Sequence, residues 1–326
     1  MPKNVPVLVT GAGGFIGSHL AERLVDSGAK VRAFVHYNGS GTCGWLAESK
    51  ARDQVEVMAG DICDPDCVTA AVQDVKLVFH LAALIAIPYS YRAPRSYVRT
   101  NVEGTLNVLQ AARDAGVERV VHTSTSEVYG TAKHVPIEED HPLQAQSPYA
   151  ASKIAADKIA ESFHHAFGLP VTTVRPFNTY GPRQSARAVI PTIITQALTG
   201  DAVHLGSLDP TRDLVYVDDT VDGFVRIATA DGAIGEVIHL GTGRQISIGD
   251  LARMIVAMVG RDIPIVSEAQ RLRPPQSEVR TLCASVDKAH RIAGWQPRHT
   301  LEEGLPRCIA WIKHNLEHYK PNTYAT

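Results

Sequence analysis

The amino-acid sequence predicts an α/β fold, in which a doubly wound parallel sheet is joined to a smaller, interleaved α+β domain. Short apolar segments alternate with longer amphipathic ones over the first 175 residues. That alternation is typical of parallel strands covered by helices on both faces. A glycine-rich turn separates the first apolar segment from the first amphipathic one. After residue 175 the alternation breaks, which indicates a second structural unit.

The predicted elements of the first unit follow from the spacing of its apolar residues. The first helix carries Leu20, Leu24 and Val25 at helical spacing and ends at Gly28. Two longer helices are predicted at residues 98–115 and 149–167. The predicted strands are residues 5–10, 31–35, 55–59, 77–81, 119–123 and 171–175.

Prolines and glycines interrupt the chain beyond residue 175. There the sequence predicts helices at 190–198, 248–259 and 301–316, and strands at 214–217 and 237–240. The two strands indicate that the chain returns to the first unit. We therefore assign residues 1–175, with a return near 212–241, to one domain, and residues 176–211 and 242–326 to the other.

Charge and composition narrow the class of partner. The chain has 32 Lys and Arg against 34 Asp and Glu, a balance that argues against nucleic acid or an acidic membrane as the main partner. We find no apolar run long enough to span a bilayer, and we expect no cleavable leader and a cytoplasmic location. The five cysteines are expected to be reduced thiols, and no bound metal is expected, although Cys63 and Cys67 stand four residues apart.

The glycine-rich turn has the spacing G-x-x-G-x-x-G. Its glycines are Gly11, Gly14 and Gly17, and Phe15 and Ile16 open the following helix. A tight turn, a close backbone approach and a helix N-terminus together receive a pyrophosphate. The turn therefore predicts a Rossmann-type sheet that binds NAD or NADP.

The residues after the second strand bear on the choice between the two cofactors. An acidic residue usually binds the ribose hydroxyl of NAD at this position, but here His36 stands in a stretch without a carboxylate, and Arg32 lies inside the strand. This slightly favours NADP, with His36 near the 2′-phosphate. After the third strand, Asp61 and Ile62 either flank the adenine or belong to a helix cap.

A tyrosine and a lysine four residues apart, Tyr149 and Lys153, share one helix face. An ammonium group beside a phenol favours the phenolate, and bringing its pKa near neutrality takes about three pH units, or about 4 kcal/mol. Tyr149 could then take a proton from a substrate hydroxyl. The Thr125 hydroxyl could hold that oxygen, and Glu127 is a second base.

Several motifs together resemble the extended short-chain dehydrogenase/reductase family, particularly its nucleotide-sugar enzymes. The resemblance covers nearly the whole chain. Its motifs are the glycine-rich turn, residues 101–105, the Tyr149/Lys153 pair, and residues 175–183, 212–219 and 273–279.

The resemblance implies roles for individual residues. Thr125, Tyr149 and Lys153 match the catalytic residues, and Leu81, Ala82, Ala83 and Asn101 would join the glycine-rich turn, Tyr149 and Lys153 in binding the cofactor. The first domain would thus bind the dinucleotide and the second the nucleotide sugar.

For the sugar nucleotide, the resemblance points to Asn178, Val189 and Ile190, and to Arg212 and Arg273 at the diphosphate. Arginine suits bidentate phosphate recognition. For any single arginine, a surface salt bridge is the alternative. Arg183 and Arg187 are left unassigned.

The reaction depends on the step after oxidation at carbon 4 of the sugar. An epimerase only returns the hydride, whereas a 4,6-dehydratase must also remove the carbon 5 proton, and Glu127 fits that role. Ser126 stands where glucose 4,6-dehydratases of the dTDP type place an aspartate, so Glu127 would shuttle the proton itself, through Ser126 or water. The alternative for Glu127 is a structural carboxylate.

The context of residues 183–191 resembles the N-acetylglucosamine 4,6-dehydratases of legionaminic acid pathways. The sequence therefore predicts an NDP-hexose 4,6-dehydratase acting on a nucleotide-linked N-acetylglucosamine, with a cofactor that is regenerated in each turnover. The alternatives are a 4-epimerase and, third, a UDP-glucuronate decarboxylase. A non-catalytic dinucleotide sensor ranks lower because the Tyr/Lys pair is intact.

The helices predicted at 98–115 and 149–167 carry apolar residues on more than one side. The family resemblance implies that they pair with those of a second subunit in a four-helix bundle, which makes a homodimer. The alternative is ordinary packing of both helices on the sheet.

Overall fold

The computed structural model describes residues 3–319 as a large parallel sheet with helices on both faces and three small two-stranded sheets. The strands are β1 Pro6–Thr10, β2 Lys30–His36, β3 Val55–Gly60, β4 Leu77–His80, β5 Arg119–Thr123, β6 Val171–Pro176, β7 Asn178–Tyr180, β8 Val203–Leu205, β9 Thr211–Arg212, β10 Leu214–Tyr216, β11 Val237–Leu240, β12 Ile246–Ser247 and β13 Ile265–Ser267.

Eleven α-helices and several shorter helical turns connect these strands within the described part of the chain. The α-helices are α1 Phe15–Asp26, α2 Pro65–Val72, α3 Ile87–Arg92, α4 Pro94–Tyr97, α5 Gly104–Asp114, α6 Pro148–Phe167, α7 Val189–Thr199, α8 Val217–Thr229, α9 Ile248–Val259, α10 Asp287–Ala293 and α11 Leu301–His314. A π-helical turn, Val98–Glu103, precedes α5, and a 3-10 helix, Ser126–Tyr129, follows β5.

The main sheet has seven strands in the order β11-β6-β5-β4-β1-β2-β3, and every neighbouring pair is parallel. Successive side chains of a strand point to opposite faces. Val7 and Val9 accordingly belong to one hydrophobic core cluster and Leu8 to another. This architecture confirms the predicted α/β fold with a doubly wound sheet. The strand order reverses between β1 and β4, where such sheets bind ligands at the carboxyl ends of their strands.

The second half of the chain builds three small sheets: β7 with β10, β9 with β12, and β8 with β13. Helix α7 packs against α9 and α11 beside them. Of the two strands predicted to return to the first domain, β11 joins the main sheet. The strand at 214–216 does not, because it pairs with β7 and leads directly into α8. The domain boundaries themselves stay a prediction.

The helix predicted at 98–115 is not a uniform α-helix. Its first six residues form the π-helical turn Val98–Glu103, and α5 begins only at Gly104. Single π-helical turns are frequent at functional sites. Here the turn contains Asn101, whose side chain reaches the loop after β4.

Across residues 3–319, none of the helices combines the length and the apolar character needed to cross a membrane. Within the same residues, no group of three or more His, Cys, Asp or Glu side chains is arranged to hold a metal ion.

Candidate active site

The glycine-rich turn between β1 and α1 packs so closely on neighbouring backbone that it has no space for side chains at Gly11 and Gly17. Gly11 has φ +71°, a left-handed conformation, and a Cβ there would lie 2.9 Å from the Ala82 nitrogen. A Cβ on Gly17 would overlap the Gly11 carbonyl oxygen. The N-cap of α1 is Gly14, and no side chain caps the first-turn amides of Phe15, Ile16 and Gly17. These features fit a dinucleotide pyrophosphate, which the turn and the helix N-terminus would hold.

The loop after β4 borders this turn. The hydroxyl of Thr10 accepts the amides of Leu81 and Ala82, each at 3.1 Å, which fixes the loop at the end of β1. Ala83 follows in the same loop and is partly exposed. All three predicted loop residues therefore lie beside the glycine-rich turn.

Asn101 reaches this loop from the π-helical turn. Its Oδ1 accepts the Leu84 amide at 2.8 Å, and its Nδ2 donates to the Leu84 carbonyl and to Ser152 Oγ, each at 2.9 Å. The side chain is 1% exposed. The side-chain amide of Asn101 therefore binds both the loop after β4 and helix α6. Asn101 thus helps to fix the position of the site.

The end of β2 has few side chains that could bind a 2′-phosphate. His36 is exposed there, but Arg32 is engaged elsewhere: it pairs with Glu56 at 2.9 Å and donates to two backbone carbonyls. The Asn38 side chain closes its own loop through Ser40 and the backbone of Thr42. The preference for NADP thus gains no support from the geometry.

Asp61 and Ile62 follow β3, as predicted. Asp61 Oδ1 accepts the Cys63 amide at 2.9 Å, whereas the N-cap of α2 is Asp64. The alternative interpretation of Asp61 as a helix cap is therefore wrong. Ile62 is 4% exposed and packs against Gly104 at the start of α5, so its side chain is part of the core.

Helix α6 places the predicted catalytic pair at its first two turns. Ser147 caps the helix by accepting the Ala150 amide at 3.1 Å, and Pro148 occupies the first helical position. Tyr149 and Lys153 are both buried, at 7% and 4% exposure. Thr125 is close enough to the Tyr149 hydroxyl to lower its pKa through a hydrogen bond, so these two side chains lie together in the structure.

The effect of Lys153 on Tyr149 differs from the sequence-based expectation. Burial raises the pKa of Tyr149 above its ordinary value, with a smaller opposing effect from the Thr125 hydrogen bond. Lys153 Nζ donates to the Thr123 carbonyl at 2.6 Å, and burial lowers its own pKa to about 8. The expected lowering of the Tyr149 pKa is wrong for the chain taken alone, because desolvation of the phenolate is the largest contribution and raises the pKa.

Glu127 is close to both Tyr149 and Arg212. It follows Thr125, the N-cap of the 3-10 helix, and its carboxylate is close enough to raise the pKa of both Tyr149 and Arg212. It is 8% exposed, and the neighbouring Ser126 is 2% exposed. The structure therefore brings a buried carboxylate to the carboxyl end of β5 beside Tyr149.

Two arginines, Arg212 and Arg273, converge on Glu278. The Arg212 side chain is 7% exposed, and its guanidinium lies 3.6 Å from Glu278; Arg273 lies 3.7 Å from the same carboxylate. Arg273 Nη1 is buried and has no hydrogen-bond partner. A surface salt bridge is the wrong description of Arg212. Two cations sharing one carboxylate suit a site for an anionic group.

The remaining predicted substrate residues, Asn178, Val189 and Ile190, differ in their burial and in their surroundings. Pairing of β7 with β10 brings Asn178 opposite Leu214, two residues after Arg212, and the buried Asn178 Oδ1 has no hydrogen-bond partner. Val189 is partly buried at the start of α7. Ile190 is 2% exposed within the main hydrophobic core, so the structure does not bring its side chain to the site.

One residue of the site, Tyr97, escaped the sequence reasoning. The Tyr97 ring stands edge-on to Tyr149 with 6.2 Å between ring centroids, and Tyr97 donates a hydrogen bond to the Ala86 carbonyl. Burial raises the pKa of Tyr97 to about 12, and the charge of Arg187 opposes this. The charge of Arg187 therefore lies near Tyr97. No spacing linked Tyr97 to Tyr149, because they lie on different elements.

Comparison with known proteins agrees with this geometry. The family model described as GDP-mannose 4,6 dehydratase matches residues 8–308. The chain belongs to the GDP-mannose 4,6-dehydratase family. The predicted resemblance is thereby confirmed at the level of the family.

Curated relatives of the family carry out two different reactions. A UDP-glucose 4-epimerase of Mycolicibacterium smegmatis is 35% identical over 318 residues, 95% of this chain and 99% of the relative. A dTDP-glucose 4,6-dehydratase of Streptomyces antibioticus is 33% identical over 323 residues, 97% of this chain and 94% of the relative. Overall identity therefore does not separate a dehydratase from an epimerase.

The solved structures of relatives also include both a dehydratase and an epimerase. The dTDP-glucose 4,6-dehydratase DesIV of Streptomyces venezuelae, solved with NAD bound, has a TM-score of 0.88 and 31% identity over 97% of this chain and 99% of that one. A UDP-glucuronic acid 4-epimerase of Bacillus cereus, in complex with UDP-glucuronic acid and NAD, has a TM-score of 0.87 and 29% identity, over 95% of this chain and 100% of that one. The distinction rests on individual side chains.

Proposed function

We propose that this protein is an NDP-hexose 4,6-dehydratase that uses NAD and acts on a nucleotide-linked N-acetylglucosamine. The observation that carries the proposal is the position of Glu127, a buried carboxylate beside Tyr149 and Arg212. Oxidation at carbon 4 and return of the hydride need no such group, whereas elimination across carbons 5 and 6 needs a base.

The glycine-rich turn would hold NAD, which would accept the hydride and later donate it. Tyr149 takes the proton of the carbon 4 hydroxyl, and the Thr125 hydroxyl, which hydrogen-bonds Tyr149, holds the same substrate oxygen. The ammonium of Lys153, one turn along α6, stabilises the phenolate form of Tyr149, which is the form that can accept this proton. These three residues serve the oxidation that dehydratases and epimerases share.

The second stage belongs to Glu127. A ketone at carbon 4 makes the carbon 5 proton acidic, and the Glu127 carboxylate takes it. The carbon 6 hydroxyl then leaves as water after receiving a proton from Glu127, directly or through Ser126. The hydride removed from carbon 4 would return to carbon 6, and a proton from solvent, delivered by Glu127, would return to carbon 5. Arg212 and Arg273 hold the diphosphate, and Asn178 contributes its unpaired Oδ1 to the sugar nucleotide.

The choice of sugar rests on the sequence context of residues 183–191, part of which lies near Tyr97 through Arg187. The choice of NAD over NADP rests on the solved relatives that hold NAD and on the engagement of Arg32 within the sheet. We extend the proposal to a homodimer formed through the 98–114 and α6 helices, where Val98 and Leu106 are exposed at 51% and 41%.

The deciding experiment is mass spectrometry of the products after incubation with NAD and, separately, UDP- and GDP-N-acetylglucosamine and dTDP-glucose. A product lighter by one water supports the dehydratase and identifies its nucleotide. Glu127→Gln should still oxidise carbon 4, seen as reduced nicotinamide absorbance, but should lose water elimination. Glu161→Gln, an exposed site on the far part of α6, is the matched control.

A 4-epimerase is the second candidate, favoured by the Mycolicibacterium smegmatis relative at 35% identity. It predicts a product of unchanged mass and a new sugar isomer. It also predicts that Glu127→Gln keeps most of the activity. Either result would reduce Glu127 to a structural carboxylate.

A further inference from the structure

A cluster of charged groups is buried behind the catalytic lysine. Asp157 lies one turn after Lys153 on α6 and is 3% exposed. Its Oδ2 accepts Ser124 Oγ at 2.6 Å and the Nε and Nη2 atoms of Arg175 at 3.2 and 3.0 Å, and its Oδ1 is 3.0 Å from His122 Nε2. These partners come from the end of β5, from β5 itself and from β6, so the carboxylate is fixed from three directions.

We propose that Asp157 is a positioning residue for the oxidation step, whose carboxylate keeps the buried ammonium of Lys153 charged next to Tyr149. The ammonium has one hydrogen-bond acceptor in the described chain, the Thr123 carbonyl at 2.6 Å. A neutral carbonyl does not compensate a buried charge, whereas a carboxylate one helical turn away does. The inference rests on the role proposed for Tyr149 and Lys153 but not on the choice between dehydratase and epimerase.

The electrostatics of the cluster agree with this role. Burial lowers the pKa of Lys153 to about 8, and Asp157 opposes that effect. Burial alone would raise the pKa of Asp157, but the His122 hydrogen bond and the charges of Arg175 and Lys153 bring it down to about 2. Asp157 is therefore ionised throughout the physiological pH range, and its negative charge is permanent.

Other titratable groups face the cluster without replacing Asp157. His80 on β4 and His122 on β5 have pKa values lowered by burial, so both are neutral near pH 7. Tyr129, on the 3-10 helix, accepts a hydrogen bond from Arg175 Nη1 at 2.6 Å, and burial raises its pKa to about 12, so it adds no charge near pH 7. Glu127 acts on Tyr149 from the substrate side. The fixed negative charge behind Lys153 is therefore that of Asp157.

The test is the pH dependence of kcat and kcat/KM in Asp157→Asn. Asp157 raises the pKa of both Tyr149 and Lys153, so removing its charge should move both limbs of the profile to lower pH, by about one unit. At alkaline pH this lowers kcat about tenfold, with KM little changed. Asp157→Glu, which keeps the charge, should restore both limbs. Ser124→Ala removes one hydrogen bond to the same carboxylate but leaves it charged, and should not move them.

A direct readout separates this inference from the proposed reaction. The Lys153 side chain is titrated by carbon NMR in lysine-labelled protein, with its signal assigned by its loss in Lys153→Met. The pH at the midpoint of the Lys153 titration should be lower in Asp157→Asn than in the wild type, whether or not any nucleotide sugar is converted. If that variant does not fold, because Arg175 is left unpaired, the double variant Asp157→Asn/Arg175→Gln removes both charges. The midpoint should still fall, but by less, because Arg175 repels the ammonium that Asp157 attracts. A midpoint and a pH profile that match the wild type would overturn the proposal.

Discussion

Asp213 Oδ1 accepts both the backbone amide and the hydroxyl of Thr242, each at 2.7 Å. Its Oδ2 accepts the amides of Gly243 at 2.9 Å and of Ala284 at 3.1 Å. The residue is 0% exposed and directly follows Arg212. One carboxylate therefore ties the strand that carries Arg212 to two neighbouring segments.

The first prediction concerns this connection. Asp213→Asn keeps the shape but turns one acceptor oxygen into a donor that faces amide donors, so we expect a loss of about 2–4 kcal/mol in the free energy of unfolding. Urea denaturation measures it. Asp209→Asn, at an exposed position of the same segment, should change stability by no more than about 0.5 kcal/mol. Equal changes in the free energy of unfolding of the two variants would show that the hydrogen bonds of Asp213 add no measurable stability.

The second prediction concerns acid stability and His239. Arginine only donates, so Tyr129 accepts Arg175 Nη1 at 2.6 Å and must give its own proton to His239 Nε2, also at 2.6 Å. That nitrogen must be unprotonated, in agreement with a pKa that burial and the charge of Arg175 lower to about 3. Because the folded-state pKa lies below the ordinary value of 6.5, the stability from neutral His239 is complete above pH 6.5 and is lost as the pH falls toward 3.

The size of this loss follows from the same values. The interval from 6.5 to about 3 corresponds to up to about 5 kcal/mol at 1.36 kcal/mol per pH unit. His239→Gln can still accept the Tyr129 proton but does not titrate, so its free energy of unfolding should fall less steeply below pH 6.5. His165→Gln, at a side chain that is 69% exposed, should keep the wild-type slope. Parallel curves for wild type and His239→Gln would refute the assignment.

The third prediction concerns the diphosphate. Arg212→Lys keeps the charge but loses the planar, bidentate geometry, so we expect the Kd for the matching nucleoside diphosphate to rise at least about tenfold, or about 1.4 kcal/mol. Isothermal titration with UDP, GDP and dTDP in turn measures it. Arg253→Lys is the matched control, because that side chain is 65% exposed in an ion pair with Asp250. Unchanged affinity for all three nucleotides in Arg212→Lys would remove Arg212 from the binding site.

Features with a local cause could be predicted from the sequence. The helix containing Tyr149 and Lys153 begins where a serine cap and a proline place it, and the glycine-rich turn is at the predicted position because only glycine tolerates the backbone approach at Gly11. Asp157 could have been found in the same way. It stands four residues after Lys153, on the same helix face, as Lys153 does after Tyr149.

Features set by long-range packing could not be predicted. Ile190 looked like a lining residue, but helix α7 turns it into the core. The strand at 214–216 looked like part of the main sheet, yet it pairs with β7, a partner 36 residues earlier in register. The pKa of Tyr149 depends on how much water its ring loses, which spacing along a chain does not report.

The π-helical turn Val98–Glu103 has a consequence for length variation in this chain. A turn closed by i→i+5 bonds holds one residue more than an α-helical turn. Deleting one residue there would let the segment relax into a regular α-helix continuous with α5, and would change the direction in which the Asn101 side chain leaves the helix. Asn101 would then lose Leu84 and Ser152, its present partners. The helix would still form, but the loop after β4 would lose its contact with Asn101. The extra residue of the π-helical turn therefore matters for the geometry of the cofactor site and adds little to the stability of the helix.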